Sequence, residues 1–425
     1  MPEQQSDIVD RKQRWTAPRR PDWLAALNRE GSYLDLKAVV PLDENSLLAC
    51  ARQQTGLQDF GEDDWLEPFR ALCRDFDSTA ELNLMGRLMM RSDMLIWLTN
   101  RLHITALLKR HPQISDEEIR QPVFIVGLPR SGTSILYELL SQDPRFGVPL
   151  MWEALLPCPP PEAGSYLSDP RIERADHLVR QWNRVVPEFA TMHEMDARIP
   201  AECGLLMANS FISDHLVSLH QGAEYAAWYA TADLTPAYRY HRTILKVLQW
   251  KNPRQHWLLK APAHQNYLDV LLKVYADARI IQTHRDPIKC MASATSLMGC
   301  LYYMRSDKAF DADAFADFMQ GEATAARLEQ VMEQRANGVV PARNICDSRY
   351  QDLMDDAFAC VEGIYRHFDI PLGAEARRRM QAFLVDKRQR KDTAGEHKYA
   401  VNREELTERR YFTRYQQAYV VPDEV

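Results

Sequence analysis

The residues with the most distinctive chemistry form a glycine-containing loop. The segment Gly127-Leu-Pro-Arg-Ser-Gly-Thr-Ser134 fits the GxxxxGx[ST] spacing of a phosphate-binding loop. A continuous apolar run at residues 122–126 precedes it, and a helical pattern of apolar residues at 135–140 follows it. Glycines let the loop turn its backbone N–H groups inward, and the helix adds its positive end. The segment therefore predicts a site for a phosphate or sulfate group.

The loop lacks the lysine of a nucleoside triphosphatase. Thr133 occupies the position of that lysine, and the cation of the loop is Arg130, on its crown. In a nucleoside triphosphatase the lysine contacts the β- and γ-phosphates, and an aspartate helps to hold Mg²⁺. Asp347, after a weak strand pattern, is the only candidate for that aspartate. We therefore expect a nucleotide whose charge is neutralised by side chains, with no metal.

Further cations follow two later apolar runs. Lys260 comes directly after the run at residues 257–259, and His284 and Arg285 come directly after the run at residues 279–283. Ligands of parallel sheets collect at the carboxyl ends of strands. We therefore expect these cationic side chains at the binding edge of the sheet.

Composition narrows the class of protein. The chain has 425 residues, 46% hydrophobic and 26% charged, which is enough for one large core or two ordinary ones. Its formal net charge of −7 argues against a protein that coats nucleic acid or an anionic membrane. No apolar stretch approaches the roughly 18 residues of a membrane span, and the eight cysteines lack metal-ligand spacing. These features predict a cytoplasmic protein with reduced thiols, no nucleic-acid partner and no membrane span.

The elements that position the candidate residues alternate between strand and helix. Strands are predicted at residues 122–126, 257–259, 279–283 and 343–346, and each leads into a helical pattern. Such alternation implies right-handed βαβ units and a parallel sheet. The predicted fold class is α/β, with a P-loop-type parallel sheet flanked by helices, an N-terminal helical region and a helical insertion.

The same patterns divide the chain into four parts. We predict a polar N-terminal arm at residues 1–40, a helical region packed on the core at 41–120, the α/β domain at 121–400, and a C-terminal helix and tail at 401–425. The stretch at about 160–250, between the first two strands, is too long for a plain crossover. We interpret it as a helical insertion that builds a substrate lid.

The loop also carries a family resemblance. Pro129-Arg-Ser-Gly-Thr-Ser134 resembles the 5′-phosphosulfate loop of the sulfotransferases that use 3′-phosphoadenosine 5′-phosphosulfate, PAPS. It is most similar to the bacterial small-molecule branch and to the tyrosylprotein sulfotransferases, which also carry an arginine there. The resemblance covers roughly residues 121–370 and implies PAPS as co-substrate. It implies that the donor's 5′ end is bound by Arg130, Ser131, Gly132, Thr133 and Ser134.

Later segments extend the resemblance. In the family, an arginine at a strand end and a serine eight residues later bind the 3′-phosphate, and Arg285 and Ser293 match that pair. Tyr350 matches the tyrosine of the family's YEDM segment, which contacts the adenine. Arg390 and Lys391 begin a segment similar to the C-terminal RKGxxGDW of the cytosolic branch, although they also fit a solvated charge run.

Two residues compete for the role of general base, which takes the acceptor's proton during in-line transfer. Glu153 corresponds to the catalytic glutamate of the tyrosylprotein and some bacterial branches, and its apolar neighbour Trp152 favours a raised pKa. His264 is the alternative, because its segment is similar to the element that carries the catalytic histidine of the cytosolic branch. We expect Lys260 to steady the bridging oxygen of the donor.

A polar cluster lies inside the predicted lid. It runs from Thr191-Met-His-Glu-Met-Asp196 to Glu202, and we expect it to line the acceptor pocket. Its HExxD pattern also suggests a metal site, but the second histidine of a zinc protease is missing. The cluster therefore favours acceptor binding over metal binding.

The favoured interpretation is a metal-independent transfer of a sulfuryl group from PAPS to a hydroxyl or amine of a small-molecule acceptor. One alternative is a P-loop kinase that uses ATP and Mg²⁺. Another is a non-catalytic nucleotide-binding protein of the same fold. The sequence leaves the acceptor and the oligomeric state open, with a homodimer among the alternatives.

Overall fold

The computed structural model describes residues 8–9, 15–310, 320–394, 401–402 and 406–425 of the chain. Its strands are β1 (Ile8–Val9), β2 (Val123–Gly127), β3 (Phe146–Gly147), β4 (His256–Lys260), β5 (Arg279–His284), β6 (Ile345–Arg349) and β7 (Val401–Asn402). Its α-helices are α1 (Asp22–Gly31), α2 (Leu36–Val39), α3 (Glu44–Thr55), α4 (Leu66–Ser78), α5 (Leu84–Arg110), α6 (Thr133–Leu140), α7 (Met151–Leu155), α8 (Arg171–Val185), α9 (Phe189–Met192), α10 (Cys203–Met207), α11 (Asp214–Val217), α12 (Ala223–Thr231), α13 (Thr235–Gln249), α14 (Leu268–Val274), α15 (Pro287–Tyr303), α16 (Gly321–Ala336), α17 (Tyr350–Asp355), α18 (Ala357–His367), α19 (Ala374–Ala394) and α20 (Thr413–Tyr419). Short 3₁₀ helices lie at Asp63–Trp65, Pro112–Asp116, Ala163–Ser168, Ala208–Ser210, Pro262–Tyr267, Ala342–Asn344 and Glu408–Phe412.

A five-stranded parallel sheet in the order β3-β4-β2-β5-β6 forms the centre of the protein. Every residue of β2 is buried, as expected for a parallel strand covered on both faces. The predicted α/β fold class is confirmed. The four predicted strands correspond to β2, β4, β5 and β6, although β6 begins at Ile345 rather than at residue 343. The additional strand β3 has only two residues, too few for a sequence pattern to reveal.

Alternate residues of β2 pack into two different apolar clusters, one on each face of the sheet. Phe124 and Val126 point into a cluster that also contains residues of α13 and α14. Val123 and Ile125 point to the opposite face, where they pack with residues of α6 and α18. The sheet is therefore held between two helical layers, and its carboxyl edge stays available for polar side chains.

The N-terminal region is helical, as predicted. Helices α3, α4 and α5 share an apolar cluster with residues of the insertion, among them Phe211 and Leu216. The predicted polar arm at residues 1–40 also contains two helices, α1 and α2. Helix α1 buries Leu24 completely, so part of the arm packs on the body of the protein.

The order of the strands decides which residues approach the loop after β2. Strand β4, which ends at Lys260, pairs with β2 on one side. Strand β5, which ends at His284 just before Arg285, pairs with β2 on the other side. The loop therefore lies between two cationic strand ends.

Candidate active site

A deep cavity of about 940 Å³ opens at this edge of the sheet. Its wall includes the loop after β2 and residues of α5, α8, α12, α15 and the segment 193–205. The polar residues on its wall include Arg130, Thr133, Ser134, His193, Glu202, Asp214, His215, Arg285 and Tyr350. The structure thus brings most of the predicted donor residues and the predicted acceptor-pocket segment to one cavity.

The loop is shaped from inside by Ser131. Its hydroxyl donates to the carbonyl of Leu128 at 2.6 Å and lies 2.6 Å from the hydroxyl of Thr283. Only 1% of Ser131 is exposed, so its side chain supports the loop instead of facing the cavity. Helix α6 begins at Thr133 without a side-chain cap, which leaves its first N–H groups for an anion.

Arg285 and Tyr350 cover the loop. The guanidinium of Arg285 lies 3.9 Å from the ring centroid of Tyr350, and its Nη1 donates to the carbonyl of Arg130 at 3.0 Å. A Cβ atom on Gly132 would come within 2.7 Å of the Tyr350 ring, and the φ of Gly132 is +93°. Glycine is therefore required at this position both by the backbone and by the neighbouring ring.

Arg130 links the loop to two other elements. Its Nε donates to the hydroxyl of Ser293 on α15 at 3.1 Å, and its Nη1 donates to the carbonyl of Met192 at 2.9 Å. Ser293 itself is buried. The residues predicted for the two ends of the donor, far apart in the sequence, thus contact one another.

Lys260 lies beside the carboxylate of Glu202, which is not one of the two predicted bases. Its ammonium contacts Glu202 and donates to the hydroxyl of Ser134 at 3.1 Å. His193 Nε2 lies 3.5 Å from the same carboxylate. Burial alone would raise the pKa of Glu202, but the charge of Lys260 and the contact with His193 outweigh it and hold that pKa below its ordinary value. A paired carboxylate therefore faces the cavity next to the anion loop.

Glu153 lies elsewhere, contrary to the expectation that it returns to the mouth of the loop. Its carboxylate is fully buried and accepts hydrogen bonds from Arg254 at 3.1 Å and from the hydroxyl of Tyr166 at 2.8 Å. It also accepts from the backbone N–H of Leu150 at 2.9 Å. Among the described residues that line the cavity, Glu153 does not appear. Burial raises its pKa, as the sequence suggested, and the carboxylate is enclosed in the fold.

His264 also lies behind the cavity wall. It is 2% exposed, and its Nδ1 lies 2.7 Å from the hydroxyl of Tyr238. Burial lowers the pKa of His264 to about 3. The neighbouring residues Pro262, Ala263 and Gln265 line the cavity, so the 3₁₀ helix turns His264 toward the core.

Both carboxylate oxygens of Asp347 contact other side chains. One oxygen lies 2.9 Å from Nε2 of His284, and Arg335 donates to the other at 2.9 Å. Within the part of the chain that the structure describes, no group of three or more His, Cys, Asp or Glu side chains could hold a metal ion. Arg390 and Lys391 lie outside the residues whose side chains are described.

The remaining wall of the cavity is mainly apolar. It is built by side chains of α5, α8, α9 and α15, including Met89, Trp97, Trp182, Phe189, Met298 and Leu301. Across the described residues, no helix is both long and apolar enough to cross a membrane. The apolar side chains of this wall lie next to the polar loop.

Comparisons with known proteins identify a matching family and similar proteins. The profile described as "Sulfotransferase family" matches residues 122–374. Two curated relatives, from Mycobacterium bovis and Mycobacterium tuberculosis, are each named omega-hydroxy-beta-dihydromenaquinone-9 sulfotransferase Stf3 and are 24% identical over 263 residues. The match covers 59% of this chain and 63% of each relative, so less than two thirds of their length is represented.

Two crystal structures resemble nearly the whole fold. Sulfotransferase STF1 from Mycobacterium tuberculosis H37Rv has a TM-score of 0.71 and 32% identity, with coverage of 81% of this chain and 94% of that one. Sulfotransferase STF9 from Mycobacterium avium has a TM-score of 0.76 and 26% identity, with coverage of 90% and 97%. With its phosphate loop, its cationic strand ends and these matches, the chain belongs to the sulfotransferase family.

Proposed function

We propose that this protein transfers a sulfuryl group from PAPS to a hydroxyl group of an apolar small-molecule acceptor, without a metal ion. The observation that carries the proposal is the convergence of Arg130, Arg285, Ser293 and Tyr350 on one loop. These four residues come from three separate parts of the chain. Their contacts match the pairing of 5′ and 3′ anion sites that an adenosine bisphosphate requires.

The chemistry of the side chains fits the donor. Arg285 presents a planar guanidinium beside the Tyr350 ring, an arrangement suited to a phosphate next to an adenine. Arg130, Thr133 and the uncapped start of α6 would hold the 5′-phosphosulfate. The donor supplies the sulfuryl group, whose bond to the bridging oxygen breaks as the acceptor oxygen bonds to sulfur.

Glu202 and Lys260 are the pair that we assign to proton transfer and charge stabilisation. Lys260 already reaches Ser134 on the loop, so it can donate to the bridging oxygen where negative charge develops. When Lys260 turns toward the donor, Glu202 loses part of the positive charge that holds its pKa low. Glu202 then becomes a stronger base and takes the proton of the acceptor hydroxyl.

The acceptor class follows from the wall of the cavity. Aromatic and aliphatic side chains such as Trp97, Trp182 and Met298 offer contacts to an apolar body, while Glu202 faces the same space. The curated relatives are named for omega-hydroxy-beta-dihydromenaquinone-9, a name that includes a hydroxyl group. The apolar wall and this hydroxyl group together support apolar molecules with a hydroxyl group as the acceptor class of this protein.

Binding of 3′,5′-adenosine bisphosphate in the presence of a chelator tests the donor site. We expect wild-type protein to bind it by isothermal titration calorimetry and the Arg285→Ala variant to bind about 100-fold more weakly, because two charge-assisted hydrogen bonds are lost. Arg279→Ala, at the opposite end of β5, is the matched control. Equal binding by wild type and Arg285→Ala would contradict the donor site.

Two further results would favour the alternatives. Binding and hydrolysis of ATP that require Mg²⁺ and ignore Arg285 would favour a kinase-like protein. Bisphosphate binding with no transfer of ³⁵S-sulfate from labelled PAPS to a panel of isoprenoid alcohols, hydroxylated quinols and phenols would favour a non-catalytic protein.

A further inference from the structure

The guanidinium of Arg285 is already bound to an anion within the chain. Its Nε donates to Glu424 Oε1 at 2.8 Å, and its Nη2 donates to Oε2 of the same carboxylate at 2.7 Å. The two side chains are 15% and 23% exposed. Two parallel hydrogen bonds to one carboxylate form the geometry with which arginine also holds a phosphate.

The backbone around Glu424 is held by contacts that do not involve Arg285. The N–H of Glu424 donates to Asp286 Oδ2 at 2.7 Å, and Arg409 Nη2 donates to the same oxygen at 3.0 Å. Arg409 also donates to the carbonyl of Val425 at 2.8 Å. The Glu424 side chain can therefore leave Arg285 while residues 420–425 stay attached.

The remaining edge of Arg285 is also engaged. Its Nη1 donates to the carbonyl of Arg130, and its flat face lies on Tyr350. The edge formed by Nε and Nη2 is the one that a phosphate beside Tyr350 would use, and Glu424 holds it. A phosphate and the Glu424 carboxylate cannot both occupy that edge, because the two anions would overlap and repel each other.

We propose that Glu424 is a built-in competitor that occupies the 3′-phosphate subsite until the donor displaces it. This inference rests on the proposed function, since it assigns the 3′-phosphate to Arg285. In the free protein, the carboxylate keeps Arg285 extended over the loop and neutralises its charge. Binding of the donor then exchanges one anion for another, so Glu424 sets how tightly an adenosine nucleotide with a 3′-phosphate binds.

The test compares nucleotides with and without that phosphate. Glu424→Gln keeps the shape of the side chain but removes its charge, and we expect it to bind 3′,5′-adenosine bisphosphate about ten-fold more tightly than wild type. Binding of adenosine 5′-monophosphate should be unchanged, because it does not reach Arg285. Glu329→Gln, which removes a carboxylate near Arg414, is the control for net charge and should match wild type for both nucleotides.

Carboxylate ¹³C NMR of the wild-type protein provides a second measurement that needs no variant. Saturating 3′,5′-adenosine bisphosphate should shift the Glu424 Cδ resonance relative to adenosine 5′-monophosphate, because the carboxylate leaves the guanidinium of Arg285.

Other outcomes would overturn the inference. Equal or weaker bisphosphate binding by Glu424→Gln, with normal binding by wild type, would show that Glu424 does not compete, while the proposed function would stand. Failure of the bisphosphate to bind either protein would refute the donor site, and the competitor with it.

Discussion

The two ends of β4 each hold a cation paired with a glutamate, yet they are different kinds of site. Before the strand, Arg254 pairs with Glu153, whose side chain is 0% exposed. At its carboxyl end, Lys260 pairs with Glu202, whose side chain is 33% exposed and faces the cavity. Both pairs consist of a cation and a carboxylate, so the residue types alone do not distinguish the enclosed pair from the pair that faces the cavity.

The difference arises from the direction of the parallel strands. Loops that follow the carboxyl ends leave space between them, and ligands bind there. At the amino end, the partners of Glu153 are Arg254, Tyr166 and a backbone N–H, which use its acceptor capacity inside the fold. A carboxylate with these partners is enclosed in the fold, whereas Glu202 faces the cavity.

Among the changes that test this comparison, Glu202→Gln should have the largest effect, and that effect is on the transfer rate. We expect the rate of sulfuryl transfer to fall about 100-fold, because the amide cannot take the acceptor's proton. The bisphosphate should still bind, since Glu202 does not contact Arg285 or Tyr350. Single-turnover transfer from ³⁵S-labelled PAPS to an acceptor found in the panel measures the rate, with Glu162→Gln as a surface control. An unchanged rate would remove Glu202 from the mechanism.

Glu153→Gln should act on stability instead of rate. The neutral side chain leaves the charge of Arg254 without its buried partner, and we expect the free energy of unfolding to fall by about 2–3 kcal/mol. The transfer rate per folded molecule should stay close to wild type. Urea unfolding gives the free energy, and the single-turnover assay gives the rate. A large loss of transfer rate in fully folded protein would contradict this prediction and support a catalytic role for Glu153.

The smallest expected effect is a loss of stability in mild acid. It arises from His264, which lies behind the carboxyl end of β4. Burial lowers the pKa of His264 to about 3 in the folded protein. The unfolded chain takes up this proton below about pH 6.5, so the free energy of unfolding falls as the pH drops toward 3. From pH 7 to pH 5.5, wild type should lose about 1 kcal/mol more than His264→Gln. Parallel pH dependence of the two proteins in urea unfolding would show that His264 is not held neutral.

Local sequence signals predicted the parts of the site that depend on a single strand and its following turn. The apolar run and the glycines around Gly132 specify a strand, an anion loop and a helix, because each depends on neighbouring residues. Lys260 ends β4 and Arg285 directly follows β5, so each charge is placed by its own strand. The polar segment with His193 and Glu202 was also recognisable as a candidate wall of the acceptor pocket, and it lines the cavity.

The partners of these charges were not predictable from local patterns. Lys260 contacts Glu202 across 58 residues of chain, and Arg285 contacts Glu424 across 139 residues. Glu153 and Glu202 are both glutamates near apolar residues, so their surroundings in sequence did not reveal which one is enclosed.

By itself, the sequence determined the parallel α/β fold, the loop after β2 and the cationic strand ends, since these follow from periodicity and from the conformational freedom of glycine. The tertiary structure alone decided which carboxylate faces the cavity and which anion Arg285 holds. Burial and charge pairing depend on distances between segments that are remote in sequence, and those distances exist only after the helices have packed around the sheet.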